Sequence, residues 1–300
     1  MPVAPLVIVN PSAGAGRAGR LLGWVRERLA SRPEARLEIT SEPGDAERWA
    51  ATSHGAHDRV VAVGGDGTIQ EVVNGLLSAG DPATLGIVPV GSGNDLARSL
   101  GLPPDPAEAW TAAIGHHDVP IDVARAHARD GRTRWFASAG GIGFDAQVAA
   151  AMAARRGWQR GRAGYLLTTL AELRRFRNQR VRLILDDGEV IDQLVLLVAV
   201  TNGEYYGGGM RIAPGASVSD GLLDLCVVGD ISRLTAIRQL PNLYRGTHVD
   251  HPAVEMRRTG GLQIDGDDGT GVHLDGEPFG RLPIRVELHR GVLNVAAPLR

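Results

Sequence analysis

Through the first 120 residues, short apolar runs alternate with amphipathic segments. Leu6–Asn10, Arg36–Thr40, Arg59–Val63 and Leu85–Val90 are too short for helices, and they predict buried strands. Between and after them, Arg17–Leu29, Asp45–Ser53, Thr68–Leu77, Asn94–Ser99 and Pro106–Gly115 carry the helical pattern of apolar residues every third or fourth position. Strand–helix alternation of this kind predicts a parallel sheet covered on both faces. The functional loops then belong at the carboxyl ends of the strands.

After Pro120 the rhythm changes. Arg180–Leu185, the turn Asp186–Glu189 and Val190–Thr201 predict a β-hairpin. Trp135–Ser138, Leu222–Val228, Val254–Arg258, Gly261–Ile264, Val272–Leu274, Ile284–Leu288 and Val292–Ala296 also read as strands, and Phe144–Arg155, Gly164–Phe176 and Ser232–Tyr244 as helices. The second half is therefore expected to be a mainly antiparallel sheet domain with helical insertions. No internal repeat or low-complexity tail interrupts it.

Composition narrows the chemistry. The 300 residues carry a formal net charge of −2, which gives no global attraction to nucleic acid. Every basic residue is arginine. Without lysine there is no Walker lysine, no protein-kinase lysine and no Schiff base for a pyridoxal cofactor. The single cysteine, Cys226, excludes an intramolecular disulfide and a cysteine-rich metal site, and its apolar surroundings predict a buried core thiol. Met1–Val9 lacks the basic start of a signal peptide, and the longest aliphatic run, Leu194–Val200, is too short to span a bilayer. A cytoplasmic protein is expected.

Three glycine-rich loops follow predicted strands. The first, Asn10 to Gly19, contains G-x-G-x-x-G at Gly14, Gly16 and Gly19, but Pro11–Ala13 separate strand from glycine, and only Glu38 or Glu42 stands near the acidic position of a dinucleotide site. The second, Gly64-Gly65-Asp66-Gly67-Thr68, runs from strand into helix, so its N–H groups and the helix terminus suit phosphate oxygens. Asp66 opposes an anion there unless a divalent metal lies between them; otherwise it is a helix cap. Glu71 and Asn74 either point back to this loop or are solvated. The third, centred on Gly91-Ser92-Gly93-Asn94-Asp95, again leads into a helix, with Asp95 as cap or ligand. Together they point to nucleotide phosphate binding.

In the second half, Thr201 to Met210 ends an apolar strand in a polar, glycine-rich turn, Asp220-Gly221 precedes another strand, and His273-Leu-Asp-Gly-Glu-Pro278 lies near the end. Asp275 and Glu277 bracket a glycine, so either both face one site or they decorate a solvated hairpin. A phosphoryl transfer to a hydroxyl asks the protein for positioning, a metal and a carboxylate to take the alcohol proton.

Asn10-Pro-Ser-Ala-Gly, Gly64-Gly-Asp-Gly-Thr68, Gly91-Ser-Gly-Asn-Asp95, Asn202-Gly with Gly207-Gly-Gly, Ser219-Asp-Gly221 and Asp275-Gly-Glu277, in this order, resemble the diacylglycerol-kinase/sphingosine-kinase lipid kinases in their small soluble bacterial form. The resemblance spans nearly the whole chain. It implies an α/β nucleotide-binding domain with a parallel sheet, of the NAD kinase/diacylglycerol kinase type, over residues 1–122 with 290–300 returning to it. A mainly antiparallel β-sandwich domain for the lipid substrate takes 123–289. ATP would be contacted by Asn10, Pro11, Ser12, Ala13, Gly14, Thr40, Gly64, Gly65, Asp66, Gly67, Thr68, Ile69, Gln70 and Ser92. Glu277 would accept the proton, with Asp275 and Asp66 in the surrounding carboxylate network. A structural Mg2+ would sit at Asp220 with main-chain oxygens of Ser217 and Leu222. Gln70 stands where asparagine is common in the family, and it keeps the amide.

The activity so implied is ATP-dependent phosphorylation of a lipid hydroxyl, diacylglycerol giving phosphatidic acid. The alternatives are a kinase of a soluble acceptor, a non-catalytic nucleotide-binding module, and a dehydrogenase through the first loop. A lipid kinase must meet a membrane surface, and Arg155–Arg180 holds eight arginines against one acid, Glu172, so the segment either attracts anionic headgroups or is simply solvated. Tyr165, Leu166, Leu170 and Leu173 either line an acyl cleft or pack in the core. The pairs His248/His251 and His116/His117 read as surface loops without a third metal ligand. No nucleic-acid partner is expected, and oligomeric state is left open, a homo-oligomer included.

Overall fold

The computed structural model describes residues 4–80, 82–153 and 162–298. The chain forms two compact units, one running to Val123 and rejoined by the chain from Arg290, the other Ala124–His289.

The first unit opens with β1 (Leu6–Val9), α1 (Ala13–Arg20), α2 (Leu22–Leu29), β2 (Arg36–Ile39), α3 (Asp45–Ala51), β3 (Arg59–Gly64), α4 (Asp66–Ser78), β4 (Thr84–Pro89), α5 (Asp95–Ser99) and α6 (Pro106–Ala113). Its strands pair in parallel in the order β2-β1-β3-β4. From the C-terminal strand, Val295 pairs in parallel with Leu85 of β4. Val7, Val9, Val61, Val63 and Val88 are fully buried beneath Val25, Trp110 and Ala113 of the helices. Each such side chain contributes about 1.5–3 kcal/mol relative to exposure. Because this sheet is buried on both faces, its strands read as continuous apolar runs.

The chain then continues through β5 (Asp118–Ala128), β6 (Thr133–Phe136), β7 (Ala139–Gly143), α7 (Phe144–Ala153), α8 (Arg162–Leu173), β8 (Gln179–Leu185), β9 (Val190–Thr201), β10 (Tyr205–Tyr206), β11 (Met210–Arg211), β12 (Leu223–Gly229) and α9 (Arg233–Arg245). A 3-10 turn, Thr247–Asp250, leads to β13 (Val254–Thr259), β14 (Gly261–Gly266), β15 (Gly271–Leu274), β16 (Glu277–Arg281) and β17 (Ile284–Ala296). Within the second unit the pairing is antiparallel, including β8 with β9, β9 with β7 and β12, and β7 with β15.

Strand β9 shows how its apolar run is used. Val195, Val198 and Val200 enter the sandwich core with Leu223, Leu225 and Val227 of β12. Leu196, Leu197 and Ala199 enter a second cluster with Cys226, Val228, Phe144, Leu173, Phe176 and Ala236. Side chains of successive strand residues leave on opposite faces except at a bulge at Leu196, where Leu196 and Leu197 both face the second cluster, so one apolar run feeds two cores. Cys226 is fully buried, and burial pushes its thiol up to about 12.

Four sequence expectations are corrected. Strands β5 and β7 were not anticipated: β7 is Ala-Gly-Gly-Ile-Gly, whose glycines hide a strand pattern. Ile284–Leu288 and Val292–Ala296 form one strand, with Gly291 at φ 57° inside it. The expected single helix Arg17–Leu29 is divided into α1 and α2, and the part of α1 ahead of Arg17 is not right-handed helix, because Gly14, Ala15 and Gly16 are left-handed. His248 is buried, its Nε2 within 3.1 Å of Ile212 O, rather than in a surface loop. Arg155, Arg156 and Arg160 of the basic segment lie outside the described residues, as do the side chains of Arg162, Tyr165 and Leu166. Leu173 is core.

Candidate active site

In the first unit, parallel register sets the carboxyl ends of β1, β3 and β4 side by side, and their three loops converge. Asn10, directly after β1, donates from Nδ2 to Thr68 Oγ1 (3.0 Å) and accepts the Ser12 N–H on Oδ1 (3.0 Å). Gly14, Ala15 and Gly16 are all left-handed. Gly14 also meets a neighbour: a Cβ there would lie 2.0 Å from Val90 O. Likewise a Cβ on Gly91 would lie 2.8 Å from Gly65 Cα, so the second and third loops touch main chain to main chain.

Arg17 was missed by sequence reasoning, and its only signal was a lone long side chain in a loop of small residues. It donates through Nη2 to Val90 O (2.9 Å) and Gly91 O (2.8 Å), and through Nε to Gly14 O (3.2 Å), joining the first loop to the third.

Asp66 joins the second loop to the third. Its Oδ2 accepts the Asn94 N–H (2.9 Å) and its Oδ1 the Asp95 N–H (2.6 Å), so Asp66 caps α5 and not its own helix. The other expected residues are distributed as follows. Pro11, Ser12 and Ala13 line the outer part of the first loop, Ser12 and Ser92 are exposed, and Gly67 is exposed at the start of α4. Thr40 follows β2 with its N–H on Val9 O (2.9 Å). Thr68, Ile69 and Gln70 are buried, and the Ile69 N–H is taken by Gly65 O. Glu71 does not point back to the loop. Glu71 Oε2 accepts the Ala46 N–H of α3 (3.2 Å), and Asn74 Nδ2 donates to Gln70 O (3.0 Å).

In the second unit, Asp275 (φ 48°) and Gly276 (φ 85°) form the two-residue turn between β15 and β16, with Leu274 paired to Glu277. Two successive left-handed residues make this the Asp-Gly hairpin that matches strand twist. The Asp275 carboxylate turns back onto the β6–β7 connection: Oδ2 accepts the Ala137 N–H (3.0 Å), and Oδ1 those of Ser138 (3.0 Å) and Ala139 (2.8 Å). Asn202, at the end of β9, holds the same segment by donating its N–H to Ser138 O (2.9 Å) and Nδ2 to Ala137 O (3.1 Å). Glu277, first residue of β16, is exposed.

A buried pair lies beneath this hairpin, which sequence reasoning did not single out. His273 Nε2 is 2.7 Å from Asp145 Oδ2, and the Gly276 N–H lies 3.2 Å from His273 Nδ1, which accepts it in the neutral ring and gives up that bond when the ring is protonated. Gly141 makes room for it, since a Cβ there would lie 2.0 Å from Asp145 Oδ2 and 2.2 Å from His273 Nε2. Burial pushes the His273 pKa down, but Asp145, with Asp275 and Glu277 beyond it, outweighs that and holds it above the ordinary value. The Tyr206 ring stacks over His273 at 6.5 Å. Between β10 and β11, Gly207, Gly208 and Gly209 are all left-handed, and Glu204 closes that turn onto Arg211 (2.9 Å) and the Gly215 N–H (2.6 Å). The Arg211 hydrogen bond holds the Glu204 carboxyl below its usual range.

Ser217, Asp220 and Leu222 offer only oxygen donors, the chemistry a hard cation prefers. As arranged, however, Asp220 Oδ1 accepts the Leu222 N–H (3.1 Å) and Oδ2 is paired with the Arg258 guanidinium. Arg258 also faces Asp224 (3.4 Å), whose carboxyl is raised to about 6 by burial and by Asp220, against the pull of Arg258. A guanidinium thus holds the oxygen a cation would take, and the trio does not fit a resident metal. Among the described residues no cluster of three or more His, Cys, Asp or Glu side chains is placed to hold one.

Comparison with known proteins agrees with both halves of this description. Residues 4–126 match the diacylglycerol kinase catalytic domain, and 138–297 match the YegS C-terminal NAD kinase beta sandwich-like domain. A diacylglycerol kinase of Mycobacterium tuberculosis is 34% identical over 295 residues, 97% of this chain and 94% of that protein. A probable lipid kinase YegS-like of Chromohalobacter salexigens is 32% identical over 98% of this chain and 92% of its own length. The crystal structure of a putative diacylglycerol kinase from Bacillus anthracis superposes with a TM-score of 0.81 at 30% identity, covering 99% of this chain and 96% of that one. With its parallel α/β unit and its β-sandwich unit both matched, the chain belongs to the bacterial diacylglycerol kinase and YegS-like lipid kinase family, and it is an ATP-dependent kinase acting on a hydroxyl group.

Proposed function

We propose that the protein transfers the γ-phosphate of ATP to the free hydroxyl of diacylglycerol, giving phosphatidic acid and ADP. The observation that carries this reading is the division of labour in the Asp-Gly-Glu hairpin. Asp275 is saturated by three main-chain donors, which leaves Glu277 exposed on a rigid strand end as proton acceptor.

ATP enters as its magnesium complex, the metal belonging to the substrate. Its phosphates lie along the first unit's loops: Asn10–Gly14, Gly64–Gln70 and Ser92, with Thr40 at the neighbouring strand end. Gly64, Gly65 and Gly67 let main chain approach, whereas Ile69 and Gln70 act from behind by packing the helix. Arg17 and Asp66 hold the loops in register. The acceptor oxygen attacks the γ-phosphorus, the bond from γ-phosphorus to the bridging oxygen breaks, and the hydroxyl proton passes to the Glu277 carboxylate. Diacylglycerol is the acceptor named for the Mycobacterium tuberculosis and Bacillus subtilis relatives.

Purified protein with magnesium, γ-labelled ATP and detergent-dispersed diacylglycerol tests the reading. Organic-phase label that chromatographs as phosphatidic acid, absent with Glu277→Gln, is expected. Label in another lipid moves the acceptor, and label confined to the aqueous phase refutes a lipid acceptor.

A further inference from the structure

Helix α9 carries apolar side chains on both faces. Its inner face packs Ala236, with Leu243 beside it, into the cluster that holds Cys226, Met210 and Ile212. Its outer face exposes Leu234 (55%), Ile237 (42%) and Tyr244 (50%). With the exposed Arg238, Pro241 and Arg245, these positions fall three or four apart and form one stripe along the helix. Among the described residues, six large hydrophobic side chains are notably exposed, and this single stripe holds half of them.

Charge identifies what covers it. The helix contains Arg233, Arg238 and Arg245 and no acid, in a chain whose net charge is −2. Arg238 and Arg245 adjoin Ile237 and Tyr244 in sequence, and among the described residues neither pairs with a carboxylate. The nearest acids in the chain are Asp230, which is hydrogen-bonded to Asn178, and Asp250 in the 3-10 turn.

From this stripe we infer that α9 is the face by which the protein docks on an anionic lipid bilayer. Leucine, isoleucine and tyrosine side chains enter the interface, while arginine stems lie along it and their guanidinium groups meet lipid phosphates. A two-fold contact between copies through the same stripe would oppose arginine to arginine, which disfavours a second copy as occupant. The cluster beneath α9 also contains Tyr206, whose ring stacks on the His273 of the Asp-Gly-Glu hairpin, so the docking helix and the proposed base share one rigid support. The inference rests on a lipid acceptor as proposed above.

The test is co-sedimentation of the full chain with phosphatidylcholine vesicles, with and without phosphatidylglycerol. Two double variants are compared, Leu234→Ser with Ile237→Ser and Arg238→Gln with Arg245→Gln, alongside sedimentation equilibrium. Wild type should bind the anionic vesicles preferentially. Each double variant should lose roughly tenfold or more of that binding, and of activity on vesicle-borne diacylglycerol. Activity on detergent-dispersed diacylglycerol should be unchanged, which shows that the fold and site are intact. Wild type that fails to bind anionic vesicles, or variants that bind as wild type does, overturn the inference. So do variants that only turn a dimer into a monomer, which identifies a second copy instead. If detergent-dispersed diacylglycerol is not phosphorylated even by wild type, the acceptor assignment fails while the vesicle arm still reads docking.

Discussion

Asp66 in the first unit and Asp275 in the second occupy similar places in their motifs, each beside glycine at the start of a helix or strand. Both are main-chain clamps. Asp66 takes two N–H groups and binds one glycine-rich loop to another, whereas Asp275 takes three and fixes the hairpin that presents Glu277. The difference lies in what each clamp sets free. In the α/β unit it is glycine main chain on adjoining loops; in the β-sandwich unit it is a neighbouring carboxylate. A motif carboxylate's role therefore follows from the donors around it, and the motif alone does not assign it.

The sharpest way to break this comparison is Glu277→Gln. Turnover should fall by about 10²–10⁴-fold, as for loss of a general base. Nucleotide binding by calorimetry and the thermal midpoint should stay unchanged, because Glu277 is exposed. Full activity in this variant would transfer the base role elsewhere.

Asp275→Ala should act mainly on stability. Removing the acceptor of three main-chain N–H groups costs about 3 kcal/mol or more, read as a lower midpoint in denaturant. A normally stable but inactive Asp275→Ala would make Asp275 the chemical group and contradict its role as a clamp. Asp66→Ala should cost about 2 kcal/mol and weaken ATP binding in the same variant, since two loops separate at once. Unchanged nucleotide affinity would show that the loops hold their shape without it.

The smallest effect concerns pH. The folded-state pKa of His273 is raised, so its charged pair with Asp145 stabilises fully below its ordinary value of about 6.5 and that stabilisation is lost as pH rises through the folded value. The denaturant midpoint of wild type should exceed that of His273→Gln by a margin that shrinks above that range. A margin that grows with pH would reverse the sign.

Much of the α/β unit was legible because its strands are buried on both faces. Continuous runs such as Val60–Val63 announce themselves, and Gly-Gly-Asp-Gly-Thr marks a strand-to-helix loop whatever surrounds it. Strand β7 was not legible, because a strand of Ala-Gly-Gly-Ile-Gly has almost no side chains to show periodicity. Its glycines make room for a partner far along the chain, as Gly141 does for His273. Arg17 was missed for the same reason: its partners, Val90 and Gly91, lie more than seventy residues away. His248 read as a loop residue because only the fold buries it against Ile212.

The sequence by itself determined the strand–helix alternation of the first half, the two-part organisation of parallel and antiparallel halves, the glycine positions where main chain must approach, and the exclusion of lysine and disulfide chemistry. Those follow from local periodicity, turn geometry and composition, which neighbours in the chain express. Only the tertiary structure decided that Asp66 and Asp275 are clamps, that Asp220 meets Arg258, that His273 sits on Asp145, and that one stripe of α9 stays uncovered. Each depends on which donor, charge or apolar surface a distant segment brings to within a few ångströms, and pairing at that range is fixed by packing.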